Sequence, residues 1–301
     1  MEENLVSDAT RRLGDEVEIG PIGFGCWRLT GSSDAENERL ITTALDLGMN
    51  LIDTADVYGL DWGGTGFGTC EEALGRVLAA NGSLRDRMVL ATKGGIIPGV
   101  PYDSSGAYLI SACEASLRRL GVDHVDLYQI HRPDTFTHPE EIAVACASLR
   151  DRGLVSMFGV SNYSPSQTMA LSAYVEEPLV STQPEFSCAA LAPMRDGTFD
   201  LCMEVGLTPL AWSPLAGGRL ATGDGIRPDL TDVLDELAAR EGVTRAAIAI
   251  AFVLAHPADT VALVGTQTPG RLTEVAAAVR VQLSRVDVYR IIVASDGVPL
   301  P

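Results

Sequence analysis

Met88-Val89-Leu90-Ala91-Thr92, closed by Lys93, is separated by the amphipathic segment Ala107–Leu120 from a second run, Val125-Asp126-Leu127-Tyr128-Gln129-Ile130. Two short β-type runs bridged by a helical pattern make a strand–helix–strand unit. The first run is apolar nearly throughout, as expected of a parallel strand buried on both faces. The unit repeats along the chain. Strands are expected at Ile22–Trp27, Met49–Thr54, Met88–Thr92, Val125–Ile130, Ser156–Val160, Val180–Gln183, Leu207–Trp212 and Thr260–Val264. Between them lie the helical segments Glu36–Leu47, Glu71–Ala80, Ala107–Leu120, Glu140–Arg152, Ser164–Ala173 and Arg245–His256. This alternation predicts an α/β fold, a (β/α)8 barrel, rather than an open doubly wound sheet. The open sheet normally carries G-x-G-x-x-G after its first strand, and Gly23-Phe24-Gly25-Cys26-Trp27-Arg28 does not complete it. Arg12–Ile19, turning around Leu13-Gly14-Asp15, reads as a hairpin that closes the barrel bottom, and a further helix is expected at Arg285–Ala294. The chain of 301 residues shows no linker, repeat or low-complexity segment, so residues 1–301 read as one domain.

Composition narrows the partners. A formal net charge of -18 disfavours nucleic acid and anionic membrane surfaces, and any anionic ligand needs a local positive site. No apolar run approaches the ~20 residues of a membrane helix. The acidic start, Met1-Glu2-Glu3-Asn4, has no apolar core segment of the kind a secretory signal requires. The six cysteines (Cys26, Cys70, Cys113, Cys146, Cys188 and Cys202) are scattered without metal-ligand spacing, so reduced buried thiols and no metal are expected. A cytoplasmic protein is the expectation.

Lys93 is the only lysine; the other 21 basic side chains are arginine. Arginine cannot replace a compact ammonium beside a titrating group. In a barrel, catalytic groups sit where strands meet the following loops. Asp53, Tyr58, Lys93 and His131 fall there, with Asn162 and Gln183 beyond them. Each has a plain reading by itself: a surface lysine, a turn cap, a packing ring, a core histidine. Four titratable groups from three neighbouring strands point instead to one site. The loop Gly59-Leu60-Asp61-Trp62-Gly63-Gly64-Thr65-Gly66-Phe67-Gly68-Thr69 lacks the Lys-Ser/Thr of a P-loop. It reads either as a flap presenting Trp62 and Phe67 to a ligand or as a plain connection.

These segments resemble the aldo-keto reductases over nearly the whole chain. The resemblance is carried by Gly23-Phe24-Gly25-Cys26-Trp27, Asn50-Leu51-Ile52-Asp53-Thr54-Ala55-Asp56-Val57-Tyr58-Gly59 and Ala91-Thr92-Lys93. It continues through Val125–His131, Phe158-Gly159-Val160-Ser161-Asn162 and Leu210-Ala211-Trp212-Ser213-Pro214-Leu215. It implies a catalytic tetrad of Asp53, Tyr58, Lys93 and His131 that reduces an aldehyde or ketone with a nicotinamide cofactor. Tyr58 is then the general acid in reduction and the base in oxidation. Lys93 is expected to bring the phenol's pKa down, Asp53 to keep Lys93 charged, and His131 to orient the substrate oxygen and, if protonated, to assist transfer.

The same resemblance implies that Ser161, Asn162 and Gln183 bond the nicotinamide carboxamide and that Trp212 stacks on the ring. Ser213, Leu215, Gly218 and Arg219 are to wrap the pyrophosphate, while Cys26, Trp27 and Asp53 border the cofactor. At the adenosine end it implies Thr266, Gln267, Arg271 and Glu274. Gly265 and Gln267 stand where relatives often place a basic residue, and Val275 where an asparagine is common, so Arg271 is left to pair with a 2′-phosphate. NADP(H) is the expected cofactor and NAD(H) the alternative. Trp27, Trp62, Arg132 and the C-terminal segment are expected to border the pocket of a small carbonyl or alcohol substrate. Two other functions stay open: a cofactor-sensing regulatory subunit on the same barrel, and a Schiff-base aldolase using Lys93.

Overall fold

Alternating short strands and longer helices close on themselves because each strand is buried on two sides. The computed structural model describes residues 3–15, 17–31, 33–61 and 63–299. An antiparallel hairpin, β1 (Arg11–Leu13) and β2 (Val17–Ile19), precedes the barrel. The barrel strands are β3 (Ile22–Gly25), β4 (Leu51–Asp53), β5 (Val89–Gly94), β6 (Val125–Ile130), β7 (Val155–Ser161), β8 (Ser181–Gln183), β9 (Thr208–Ala211) and β10 (Val261–Val264). They are all parallel, and β10 returns to pair with β3. Around them lie α1 (Asp34–Asp46), α2 (Thr69–Ala80), α3 (Gly106–Leu120), α4 (Pro139–Asp151), α5 (Pro165–Ser172), α6 (Thr198–Val205), α7 (Arg219–Thr222), α8 (Pro228–Glu241), α9 (Arg245–Leu254), α10 (Pro269–Ala276) and α11 (Arg285–Asp296).

The expected strands are all present: β6 has the expected bounds, β5 runs on to Gly94, β7 extends one residue further at each end, and β3, β4, β8, β9 and β10 are shorter than expected. The first ends at Gly25, so Cys26 and Trp27 belong to the turn beyond it rather than to the strand. Helices α6, α7, α8 and α10 are additions to the expected set. Caps follow from local chemistry: Ser33 with Glu36, Ser164 with Gln167 and Ser284 with Asp287 form reciprocal boxes at the starts of α1, α5 and α11.

Strand alternation creates two cores. Leu51, Val89, Ala91, Leu127, Leu210, Val261 and Leu263 point inward and pack on Leu13 and Ile19 of the hairpin. The hairpin therefore plugs the barrel bottom, as expected; Asn50 donates to the Glu18 carbonyl (3.0 Å) and accepts from the Gly20 N–H (2.8 Å) to fasten it. Outward residues such as Leu90, Tyr128 and Val160 pack under the helices with Leu74, Cys113 and Leu149. All six cysteines are buried and unpaired. Among the described residues no helix is long and apolar enough to cross a membrane.

Candidate active site

The alternation that sends Val89 and Ala91 inward sends Lys93 inward as well, one layer nearer the strand C-termini. The same rule places Gln129 above Leu127, while Asp53 ends β4 and Gln183 ends β8. His131, Asn162 and Trp212 directly follow β6, β7 and β9. Because the strands are parallel, all these groups converge at one end.

Lys93 is completely buried and has three N–H donors for three acceptors. Nζ lies 2.7 Å from Asp53 Oδ2, 2.8 Å from the Thr54 carbonyl and 3.2 Å from the Tyr58 hydroxyl. Tyr58 sits in a turn whose carbonyl accepts from the Cys70 N–H at the start of α2 (3.3 Å). His131 meets the Tyr58 ring edge-on, with centroids 5.7 Å apart, and Trp27 flanks it at 6.4 Å. The four expected catalytic groups are thus brought together.

Electrostatics corrects two expectations. Burial raises the Tyr58 pKa by more than Lys93 lowers it, so the phenol is held above its ordinary value rather than below it. Burial, reinforced by Lys93 and Arg132, pushes His131 well below the usual histidine range, so the imidazole is neutral and gives no charged assistance. Burial also opposes the charge of Lys93, but Asp53 and Tyr58 outweigh it and raise its pKa. A charged amine with every N–H engaged has no lone pair for attack on a carbonyl, which removes the aldolase alternative.

A cavity of about 1010 Å³ opens from this cluster. Its walls include Trp27, Asp53, Tyr58, His131, Arg132, Ser161, Asn162, Gln183, Trp212, Ser213, Leu215, Gly218, Arg219, Thr266, Gln267, Arg271 and Glu274. Cys26 is not among them: its thiol is fully buried in the outer core, so only its neighbour Trp27 reaches the cavity. Trp62 lies outside the described residues. Phe67 packs 5.6 Å from the Arg119 guanidinium rather than over the cavity, so it is no flap over a ligand. The described residues of the C-terminal segment are also absent from these walls; α11 is tied to α8 through Arg240–Asp287 and Arg290–Glu236.

Ser161, Asn162 and Gln183 line the cavity with much of their bonding already used. Asn162 donates to Ser161 Oγ (2.8 Å) and accepts from the Trp212 indole N–H (3.0 Å), which fixes that ring. Gln183 donates to Asp53 Oδ1 (3.1 Å). Residues the motifs did not single out also contribute. Arg28 Nη2 reaches the Gly217 carbonyl (3.0 Å), linking the β3 and β9 loops, and Asp61 and Ile96 also line the wall. Their only signal is position after a strand.

The residues fit an extended, anionic dinucleotide. Arg28, Arg132, Arg219, Arg245 and Arg271 line the cavity beside Asp53, Asp61, Asp224 and Glu274, so arginines outnumber carboxylates there in a chain of net charge -18. Gly217 and Gly218 adopt φ of 72° and 103°, and nothing lies within 4 Å of where a Cβ would stand. Such a stretch lets backbone N–H groups approach a phosphate. The Gln267 side-chain oxygen and nitrogen are closed off from solvent without a partner among the described residues, as groups awaiting a ligand would be. Asn162 and Ser213 hold φ of 59° and 50°, strain of the sort that gathers at binding sites.

A family model described as "Aldo/keto reductase family" matches residues 21–294. The chain belongs to the aldo/keto reductase family. It is 46% identical to 6-dehydroglucose reductase of Novosphingobium aromaticivorans, over 97% of this chain and 97% of that protein. It is 35% identical to 6-dehydroglucose reductase of Agrobacterium fabrum, over 91% of this chain and 93% of that protein. An aldo/keto reductase from Klebsiella pneumoniae, solved in complex with NADP and acetate, superposes with a TM-score of 0.79 at 26% identity, covering 98% of this chain and 97% of that one.

Proposed function

We propose that this aldo/keto reductase uses NADP(H) to reduce a sugar-derived aldehyde to the alcohol. The observation that carries the reading is the Lys93 ammonium shared among Asp53, the Thr54 carbonyl and Tyr58 at the inner end of the cavity. The cofactor, when bound, supplies the hydride. Trp212, Ser161, Asn162 and Gln183 would border its nicotinamide, the loop from Ser213 to Arg219 its pyrophosphate, and Thr266, Gln267, Arg271 and Glu274 its adenosine end.

Tyr58 protonates the substrate oxygen. Its own oxygen accepts from Lys93, so its O–H is directed elsewhere, and a pKa held above the ordinary value keeps the phenol protonated at neutral pH. Lys93 then stabilises the phenolate left behind, and Asp53 keeps Lys93 charged. His131, neutral, orients the carbonyl oxygen through a ring N–H; neither ring nitrogen has a partner among the described residues, and Nδ1 is closed off from solvent. In oxidation the phenolate takes the proton back.

Two relatives carry the name 6-dehydroglucose reductase. Asp61 and Arg132, shortly after Tyr58 and directly after His131, line the same cavity as Trp27 and offer hydroxyl-binding groups there. The family match supports reading residues 1–301 as one domain. Six unpaired thiols favour a reducing, cytoplasmic setting.

The test is NADPH oxidation with 6-dehydroglucose, simple aliphatic aldehydes and ketones. The expected result is the highest kcat/KM for 6-dehydroglucose, a preference for NADPH over NADH, and a reduced preference in Arg271→Ala. Absence of turnover with every carbonyl rejects the reductase reading, and a clear preference for NADH rejects the cofactor assignment.

A further inference from the structure

Behind the catalytic groups lies a polar residue that touches neither cavity nor solvent. Gln129 is completely buried on β6, where Leu127 before it is part of the apolar barrel interior. It is the register partner of Lys93 on one side and of Gly159 on the other. Its Nε2 lies 3.3 Å from Asp53 Oδ1, the oxygen that also accepts from Gln183 Nε2 at 3.1 Å. Gln183 Nε2 in turn lies 3.5 Å from Gln129 Oε1. Asp53 thus divides its two oxygens: Oδ2 serves Lys93, and Oδ1 is held by two neutral amides.

The barrel keeps room for this side chain. A Cβ on Gly159 would stand 2.1 Å from Ser181 Oγ and 3.3 Å from Gln129 Cγ, so any larger residue there would press on both. A carboxamide in an otherwise hydrophobic layer is costly unless its hydrogen bonds are used. Here they are used on the carboxylate that orients the catalytic lysine.

We propose that Gln129 is a positioning residue for the proton transfer. Its amide holds the Asp53 carboxylate so that Oδ2 faces Lys93, and it retains Oδ1 when Gln183 engages a nicotinamide carboxamide. This rests on the reading that Tyr58 gives and takes the proton. Gln183 stands at both places at once: it lines the cavity and bonds Asp53. Without Gln129, Oδ1 keeps only one of its two amide donors in the cofactor-free protein, and none once Gln183 turns toward the cavity. The carboxylate is then free to rotate and offer both oxygens to Lys93, drawing the ammonium off the phenol.

The test uses Gln129→Met, which keeps volume and removes the donor, and Gln129→Glu. Tyr58 is titrated by ultraviolet difference absorbance in cofactor-free protein, with Tyr58→Phe subtracted. For Gln129→Met we expect kcat lowered by about 10- to 100-fold, less than removing the acid itself. The KM for NADPH stays within about twofold, since Gln129 does not line the cavity. The Tyr58 titration moves to higher pH as the ammonium recedes. The alkaline limb of reduction, where the protonated phenol is lost, moves up with it. Gln129→Glu recovers activity at low pH, where its acid form donates to Asp53, and loses it as the new carboxylate ionises.

An unmoved Tyr58 titration in Gln129→Met overturns the proposal, whether kcat is retained or falls in step with Tm. If the wild-type protein reduces no carbonyl, the reductase reading fails on its own, and the titration in cofactor-free protein still decides what Gln129 does.

Discussion

Three acceptors around one ammonium make Lys93 intolerant of its nearest relative. Arginine would keep the charge, but a planar fork cannot direct three N–H bonds to Asp53, Thr54 and Tyr58 from a single atom. We expect Lys93→Arg and Tyr58→Phe each to lower kcat by about 10²- to 10⁴-fold while NADPH binding, followed by its fluorescence, persists. Retained turnover in Tyr58→Phe would end that assignment. Asp56, next to the site, is a different case. Both of its oxygens are closed off from solvent, and burial, reinforced by Glu71 and only partly offset by Arg119 and the Val57 backbone N–H, raises its pKa well above the carboxylate range. A carboxyl whose folded value is raised binds a proton more tightly in the folded state than in the unfolded one. Its contribution to stability is therefore fullest at acid pH and declines as pH rises above the unfolded value of about 3.9. Asp56→Asn should accordingly raise Tm more at about pH 7 than at about pH 4. An equal shift at both pH values would contradict the buried neutral acid.

Among the elements, the hairpin carries stability and the loops carry chemistry. Leu13 is completely buried and belongs to the interior cluster with Leu51, Val89 and Leu127. Leu13→Ala should cost about 2–5 kcal/mol in denaturant unfolding while leaving kcat/KM unchanged, because it acts at the barrel end opposite the site. A fall in kcat/KM without loss of stability would show the bottom coupled to the top. The strands were legible because burial on both faces leaves a compact apolar run, and β6 is found at the residues expected, Val125–Ile130. Helix α8 had its own signals in Pro228 at the start, Leu230, Leu234 and Leu237 along one face, and Gly242 at the end. It adds a second helix between β9 and β10, where α9 alone satisfies the alternating pattern. The loop around Phe67 was not legible: an aromatic beside glycines fits a flap and a packed turn equally well until Arg119 is seen beneath it.

Over the whole molecule, 40 acidic groups against 22 basic ones make self-repulsion a general opponent of the folded state. Arg195–Asp296, Arg245–Asp235 and Arg290–Glu236 offset it locally, but surface pairs of this kind contribute little each. Raising NaCl from about 0.01 to about 0.15 M contracts the screening length from about 30 to about 8 Å. Tm should therefore rise over that interval. A fall in Tm would mean that the ion pairs outweigh the net repulsion.

The barrel and the convergence of Asp53, Tyr58, Lys93 and His131 at one end of it were open to reading from the chain alone, since period-two burial, helix period and the polar residues closing each strand are local properties. Three matters were not: the upward direction of the Tyr58 pKa, the neutral state of His131, and the role of Gln129 behind Asp53. Each depends on how many groups, distant along the chain, exclude water from one point. Desolvation is a property of that assembled enclosure, and no spacing of residues along a strand specifies it.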